Sequence, residues 1–176
     1  MAVKPINGAP EPASVWSDAF SVGIPEIDGD HQILFDLAGQ IIEAATGEEA
    51  AVVTGSVLAA LSDYADYHFE REERVMRAVG FPEEPAHTAR HDRLRAKVKD
   101  MAERYRADPT AVAANELAAF LLNWLTSHIL HEDMEYRPYT DGNSAARAAA
   151  ASLGTEFFVD EADDDQPVFG DRGGRG

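Results

Sequence analysis

Four long stretches of this chain repeat apolar residues at helical spacing, and each one stops at glycine or proline. The first runs from about Asp30 to Thr46, with Ile33, Leu34, Leu37, Ile41 and Ile42 on one stripe and Gly47 as its stop. The second runs from about Glu49 to Val79 through Val53, Val57, Leu58, Leu61, Tyr64, Ala65 and Phe69, and ends at Gly80-Phe81-Pro82. The third spans about Glu84 to Arg106, with Pro85 acceptable in the first turn and Asp108-Pro109 as its break. The fourth spans about Thr110 to Tyr136 through Leu117, Phe120, Leu121, Trp124, Leu125 and Ile129, with Pro138 as its stop. No segment alternates in the manner of a strand. The pattern predicts an all-α chain, an antiparallel four-helix bundle over residues 15–140.

The chain has 176 residues, enough for one such domain and its tails. It contains no cysteine, which excludes a disulfide scaffold, a thiolate zinc site, an iron–sulfur cluster and a cysteine nucleophile. Its 32 acidic residues against 15 Lys and Arg give a net charge of −17, which disfavours nucleic acid and anionic membrane surfaces as partners and favours a monomer. No apolar run approaches the roughly 18 residues of a membrane span. The opening MAVKPINGAPEPAS has no apolar core of a secretory signal, so the expected compartment is the cytoplasm.

The two ends read differently from the middle. Residues 1–14 carry prolines and few large apolar side chains, as a flexible lead-in. Residues 15–28 hold Trp16, Phe20, Val22 and Ile24 between Gly23 and Pro25, the pattern of an extended arm packed on a core. From 141 onward, the alanine-rich Ser144–Leu153 suits a short helix. An apolar Phe157-Phe158-Val159 and the acidic run Asp160 to Asp165 follow, expected to be a disordered, solvated tail or a docking peptide for a protein partner.

The chain has six histidines, and all fall on the four helical stretches. A helix turns about 100° per residue, so residues four apart share a face. His68 and Glu72 have that spacing on the second helix, and His87 and His91 have it on the third. His31 comes from the first, and His128 from the fourth with Glu132 and Asp133 just behind. Their neighbours Phe69, Trp124, Leu125 and Ile129 put these polar groups beside the apolar stripe. Each unpartnered buried polar group costs about 1–3 kcal/mol, and a metal ion would satisfy several together.

Imidazole and carboxylate without thiolate suit iron, manganese, zinc or copper. Five histidines with two carboxylates exceed the needs of one ion and favour two, bridged by carboxylates. The His-Glu-x-x-His zinc signature is absent, and only Glu84 and His87 match the Glu-x-x-His of carboxylate-rich di-iron bundles.

Trp16-Ser17-Asp18 with Ile27-Asp28-Gly29-Asp30-His31-Gln32, then His68-Phe69-Glu70-Arg71-Glu72-Glu73, His87-Thr88-Ala89-Arg90-His91 and Trp124-Leu125-Thr126-Ser127-His128-Ile129 with Asp133, together resemble the hemerythrin family over residues 15–139. The resemblance implies two iron ions. One would be held by His87, His91 and His128, and the other by His31 and His68 with one position open. Glu72 and Asp133 would bridge them together with an oxo or hydroxo group. It further implies reversible binding of dioxygen at the open position as a hydroperoxide, in a pocket walled by Phe69, Trp124, Leu125 and Ile129.

Helical geometry complicates one of these assignments. His128 and Asp133 are five residues apart, an offset of about 140° on a regular helix, whereas Glu132 lies only about 40° away. For Asp133 to serve, the fourth helix must open into a π-like turn at this point. Asp30 stands where the family more often has glutamine, and either lies on the surface or hydrogen-bonds a ligand. His131 matches no ligand position. The expected activity is oxygen storage, delivery or scavenging without catalysis. The alternatives are an oxygen or redox sensor signalling through the bundle and tail, and a di-iron peroxidase, oxidase or nitric-oxide-handling protein.

Overall fold

A computed structural model describes residues 16–45, 47 and 49–153. Among them there is no strand. The elements are a short 3-10 turn at Asp18–Phe20, then α1 (Pro25–Ala44), α2 (Ala50–Val79), α3 (Glu84–Ala107) and α4 (Ala114–Ser127). A π-helix at His128–Asp133 leads into α5 (Met134–Thr140), and α6 (Ser144–Ala151) follows. Short connections make α1 to α4 an antiparallel four-helix bundle, in which α1 packs on α2 and α4, and α2 packs on α3. No described helix is long and apolar enough to cross a membrane.

The helices end where the chemistry says they must. Gly80 takes a left-handed conformation (φ 66°), and the Phe81 amide bonds back to the Met76 carbonyl at 3.0 Å, closing α2. Asn143 caps α6 by accepting from the Ala145 and Ala146 amides.

Three boundaries differ from the sequence reading. The arm is shorter than residues 15–28, because α1 starts at Pro25 rather than Asp30. Proline suits that first position, where no amide partner is needed. The Asp28 carboxylate in the first turn then accepts from the Val22 amide (2.8 Å) and the Ser21 hydroxyl (2.7 Å), tying the arm down. At the other end, α4 starts at Ala114 rather than Thr110, because the Asp108 carboxylate holds the Thr110 amide and hydroxyl in a turn. Pro138 does not stop the helix. It lies inside α5, which continues to Thr140 before Gly142 turns the chain at φ 68°. Ile33, placed on the buried stripe by spacing, is 44% exposed; the inward face of α1 runs instead through Ile27, His31, Leu34, Phe35, Ala38 and Ile41.

Two apolar clusters form the core. The larger joins Leu34, Phe35, Ala38, Ile41, Leu58, Leu61, Phe69, Leu117, Leu121 and Leu125. The smaller joins Val22, Ile24, Ile27, Val75, Met76, Phe81 and Tyr136 to Ala146 and Ala150 of α6. The packed body therefore continues past residue 140, since the small alanine face of α6 lies close against α2. The acidic run and Phe157-Phe158-Val159, like residues 1–14, lie outside the described residues.

Candidate metal centre

The two clusters leave a polar layer between them. On α1, His31 falls between Ile27 of the smaller cluster and Leu34 of the larger; on α2, His68 and Glu72 fall between Ala65 and Val75. Every residue of this layer is buried: His31, Glu72, His87, His91 and Asp133 are fully so, and His68 and His128 nearly so. His131, the sixth histidine, faces solvent.

The fourth helix opens at this layer into the wider turn that Asp133 needs if it is to face inward. The Met134 amide reaches the Ile129 carbonyl, five residues back, which widens the turn. In consequence His128 faces two acids at once. Its Nε2 approaches Asp133 Oδ1 at 3.2 Å, while its Nδ1 meets Glu132 Oε2 at 2.5 Å on the outer side. Glu132 thus backs the histidine, and Asp133 shares the interior with it.

The interior groups converge without satisfying one another. Asp133 Oδ1 lies 3.3 Å from His87 Nε2 and 3.2 Å from His128 Nε2, whereas Oδ2 lies 3.4 Å from His31 Nε2. One carboxylate therefore straddles two groups of histidines. Glu72 does likewise, with Oε2 at 3.2 Å from His91 and 3.5 Å from His68, and Oε1 at 3.9 Å from His31. His91 and His128 point their Nε2 atoms at each other across 3.2 Å. Both ring nitrogens of His31 and of His87, Glu72 Oε2 and both Asp133 oxygens are buried without a hydrogen-bond partner. Each such atom costs about 1–3 kcal/mol, so this donor set fits cations and is expensive without them. Ligating atoms gather as Glu72, His87, His91 and His128 in one group and His31, His68 and Glu72 in the other, with Glu72 common to both.

Without an ion, these carboxylates and imidazoles shift one another's acidity. Burial disfavours an imidazolium at His128, but Asp133, Glu132 and Glu72 outweigh it and push the group up to about 10. Burial and the Glu72 charge raise Asp133, yet His128, His31 and His87 bring it down to about 2. Burial, with the Glu72 and Asp133 charges, pushes the Tyr136 phenol well above its usual range, and its hydroxyl donates to Glu72 Oε1 at 2.5 Å.

The four residues expected to wall a small-molecule pocket are all buried, but they do different things. Phe69 stacks on His91 (4.1 Å between rings, 14° between planes) and reaches His68 at 5.6 Å. Leu125 and Ile129 belong to the larger cluster. Trp124 stands 6.2 Å from the His128 ring, on a surface cleft of about 220 Å³ shared with Arg90, Arg93 and Ser127. On the opposite side it is Trp16 of the arm, 6.2 Å from His31 and packed near Phe20 and Phe35, that covers the histidine. Asp30 is buried and faces His68 Nδ1 at 3.4 Å, so the second of its two expected placements holds.

The sequence gives no role to most of the residues behind the histidines: Glu73, Arg71, Arg90, Arg95 and Tyr136 all touch the layer or its backing. Glu132, the rival to Asp133 by helical spacing, backs His128 from outside instead. Spacing offered a signal for some: Arg95 follows His91 by four residues, and Arg71 follows His68 by three.

An antiparallel bundle with a buried layer of imidazoles and carboxylates defines a class, the helical bundles that hold cations between their helices. The chain belongs to the hemerythrin family: residues 22–140 match the model of the hemerythrin HHE cation binding domain. A bacteriohemerythrin of Methylococcus capsulatus is 32% identical over 125 residues, covering 70% of this chain and 93% of that one. A myohemerythrin of Riftia pachyptila is 29% identical over 123 residues, covering 70% and 90%. A crystal structure of a hemerythrin point variant superposes with a TM-score of 0.65 at 30% identity, covering 73% of this chain and 97% of that one.

Proposed function

We propose that this chain binds dioxygen reversibly at a di-iron centre, for storage, delivery or scavenging, and does not turn over a substrate. His87, His91 and His128 would hold one iron, His31 and His68 the other, and Glu72 and Asp133 would span both. The observation that carries this reading is the Asp133 carboxylate, with one oxygen facing His87 and His128 and the other facing His31. Iron in such a set would supply reversible electron transfer and, beside the two-histidine group, a free position for a diatomic ligand. The curated relatives named above as bacteriohemerythrin and myohemerythrin support the same assignment.

The surroundings favour binding over turnover. Trp16 and Phe69 lie against His31 and His68, and neither an indole N–H nor a phenyl ring is acidic enough to protonate a bound ligand for bond cleavage. The Tyr136 hydroxyl is already committed, donating its proton to Glu72 Oε1 at 2.5 Å. One contact favours the sensor as a second reading: the Tyr67 hydroxyl donates to the Leu153 carbonyl at 3.0 Å, joining the chain beyond α6 to the helix that carries His68.

Oxygen cycling of the iron-loaded protein tests the proposal. Anaerobic reduction, admission of oxygen and its removal, repeated, should give a visible charge-transfer band that comes and goes without net oxygen consumption. One-way conversion to the oxidised spectrum would favour sensing, and sustained consumption of oxygen or peroxide would favour an enzyme.

A further inference from the structure

Three of the five interior histidines share one arrangement: Nδ1 faces a carboxylate, and the carboxylate faces an arginine. His91 faces Glu73 at 3.1 Å, and Glu73 faces Arg95 at 3.1 Å. His128 faces Glu132 at 2.5 Å, and Glu132 faces Arg90 at 3.4 Å. His68 faces Asp30 at 3.4 Å, and Asp30 meets Arg71 at 2.5 Å.

The three differ in their contact with water. Side-chain exposure is 13% and 28% for Glu73 and Arg95, and 30% and 23% for Glu132 and Arg90, but 5% for both Asp30 and Arg71. Solvent screens the first two pairs and does not reach the third. The third is also tied to its surroundings by buried or half-buried partners. Asp30 accepts from the Tyr64 hydroxyl at 2.8 Å, and Arg71 donates to the Glu26 carbonyl at 3.1 Å and to the Tyr67 hydroxyl.

We propose that Arg71 is a positioning residue for the two-histidine side of the centre: with Asp30 it forms a dry, charge-neutral clamp on His68 Nδ1. The clamp fixes the ring so that Nε2 points inward, and Arg71 cancels a carboxylate charge that an ion at His68 would otherwise feel unscreened. This inference rests on the di-iron reading. It assigns the clamp to the side with the free position, where a change of charge alters the balance between reduced and oxidised states most directly.

The test is a spectroelectrochemical titration of the iron-loaded full chain, with iron content and thermal unfolding measured on the same samples. Arg71→Gln leaves Asp30 uncompensated and should shift the centre toward its oxidised state about tenfold, which is 59 mV for one electron. Asp30→Asn should shift it about tenfold in the opposite direction. Arg71→Lys and the double variant Asp30→Asn/Arg71→Gln, both neutral overall, should stay within about threefold of the parent. Arg95→Gln, in a screened pair, should also move it less than about threefold.

Opposed shifts of the two single variants are the signature of charge, since a merely structural role would move both the same way. Shifts in one direction, or none, with two irons bound, would overturn the proposal and leave the di-iron reading intact. Should Arg71→Gln hold no iron, recovery of iron and potential in the double variant supports the clamp, and a double variant equally defective overturns it. A parent protein that binds no iron overturns the di-iron reading and the clamp together.

Discussion

α3 and α4 lie in one bundle and are seated by different forces. α4 has 14 residues and buries six, all apolar, among them Leu117, Leu121, Trp124 and Leu125. α3 has 24 residues and buries four, of which two are His87 and His91. Apolar burial contributes roughly 25 cal/mol per Å² whether or not a metal is present. α3 adds Val98 and Met101, with Leu94 and Tyr105 partly buried beside them, and surface ion pairs such as Arg95 with Asp66 and Arg77 with Glu84, each worth about 0–1 kcal/mol. α4 is therefore held by its own apolar face, whereas α3, with fewer buried apolar residues for its length, would draw a good part of its hold from a cation on His87 and His91. On the di-iron proposal the polar layer would serve stability and function through the same atoms.

Removing the metal should break the comparison most visibly. Under chelation, hydrogen exchange should show α3 losing protection by roughly a hundredfold or more while α4 changes by less than about tenfold. Equal loss in both helices would mean that α3 does not depend on its ligands.

Paired substitutions should sharpen it. Leu117→Ala, at a fully buried site of α4, should cost about 2–5 kcal/mol with or without metal. His91→Leu should weaken metal binding by more than about a hundredfold and also lower the stability of the metal-free protein, because it leaves the buried Glu72 and the adjoining Glu73 without an imidazole partner, so its cost should be larger with iron than without. Denaturant titrations in the presence and absence of iron separate the two cases. An equal loss for His91→Leu with and without iron would count against a metal-dependent seat for α3.

Acidity should act oppositely on the two forms. In the metal-free protein, His128 at about 10 lies above its unfolded value of 6.5, so its contribution is complete below 6.5 and is lost as pH rises through about 10. Asp133 at about 2 lies below its unfolded value of 3.8, so its contribution holds above 3.8 and is lost as pH falls through about 2. Metal-free stability should thus decline toward alkaline pH. The loaded protein should instead lose metal toward acid pH, as protons compete for the imidazoles. Melting temperatures of both forms from pH 5 to 9 should converge at the acid end. Arg95→Gln should give the smallest effect, at most about 1 kcal/mol and reduced further by salt.

The parts legible in the sequence were those with a period. Helical spacing marked α2 and α3 to within a residue or so, and the pairs His68 with Glu72 and His87 with His91 announced a shared face. Asp133 was legible only because the resemblance conflicted with the regular helix, and the conflict implied a wider turn. What spacing did not carry was decided by single contacts between distant segments. Pro25 opens α1 because Asp28 captures the backbone of the arm. Asp30 is buried because Arg71 and Tyr64, 41 and 34 residues away in sequence, supply its partners. Ile33 faces out because the inward stripe of α1 is occupied in part by a histidine and an aspartate. The alanines of α6 gave a helix but not its seat on α2, since a small-residue face has no preferred partner until a surface is offered to it.

The central claim is a di-iron centre in the polar layer, with Asp133 across it. Crystals of the iron-loaded protein, measured at the iron absorption edge, address that claim directly. The account predicts two anomalous peaks, one against His87, His91 and His128 and the other against His31 and His68, with Glu72 and Asp133 contacting both. A single peak, or Glu132 in place of Asp133 on the metal, would contradict it.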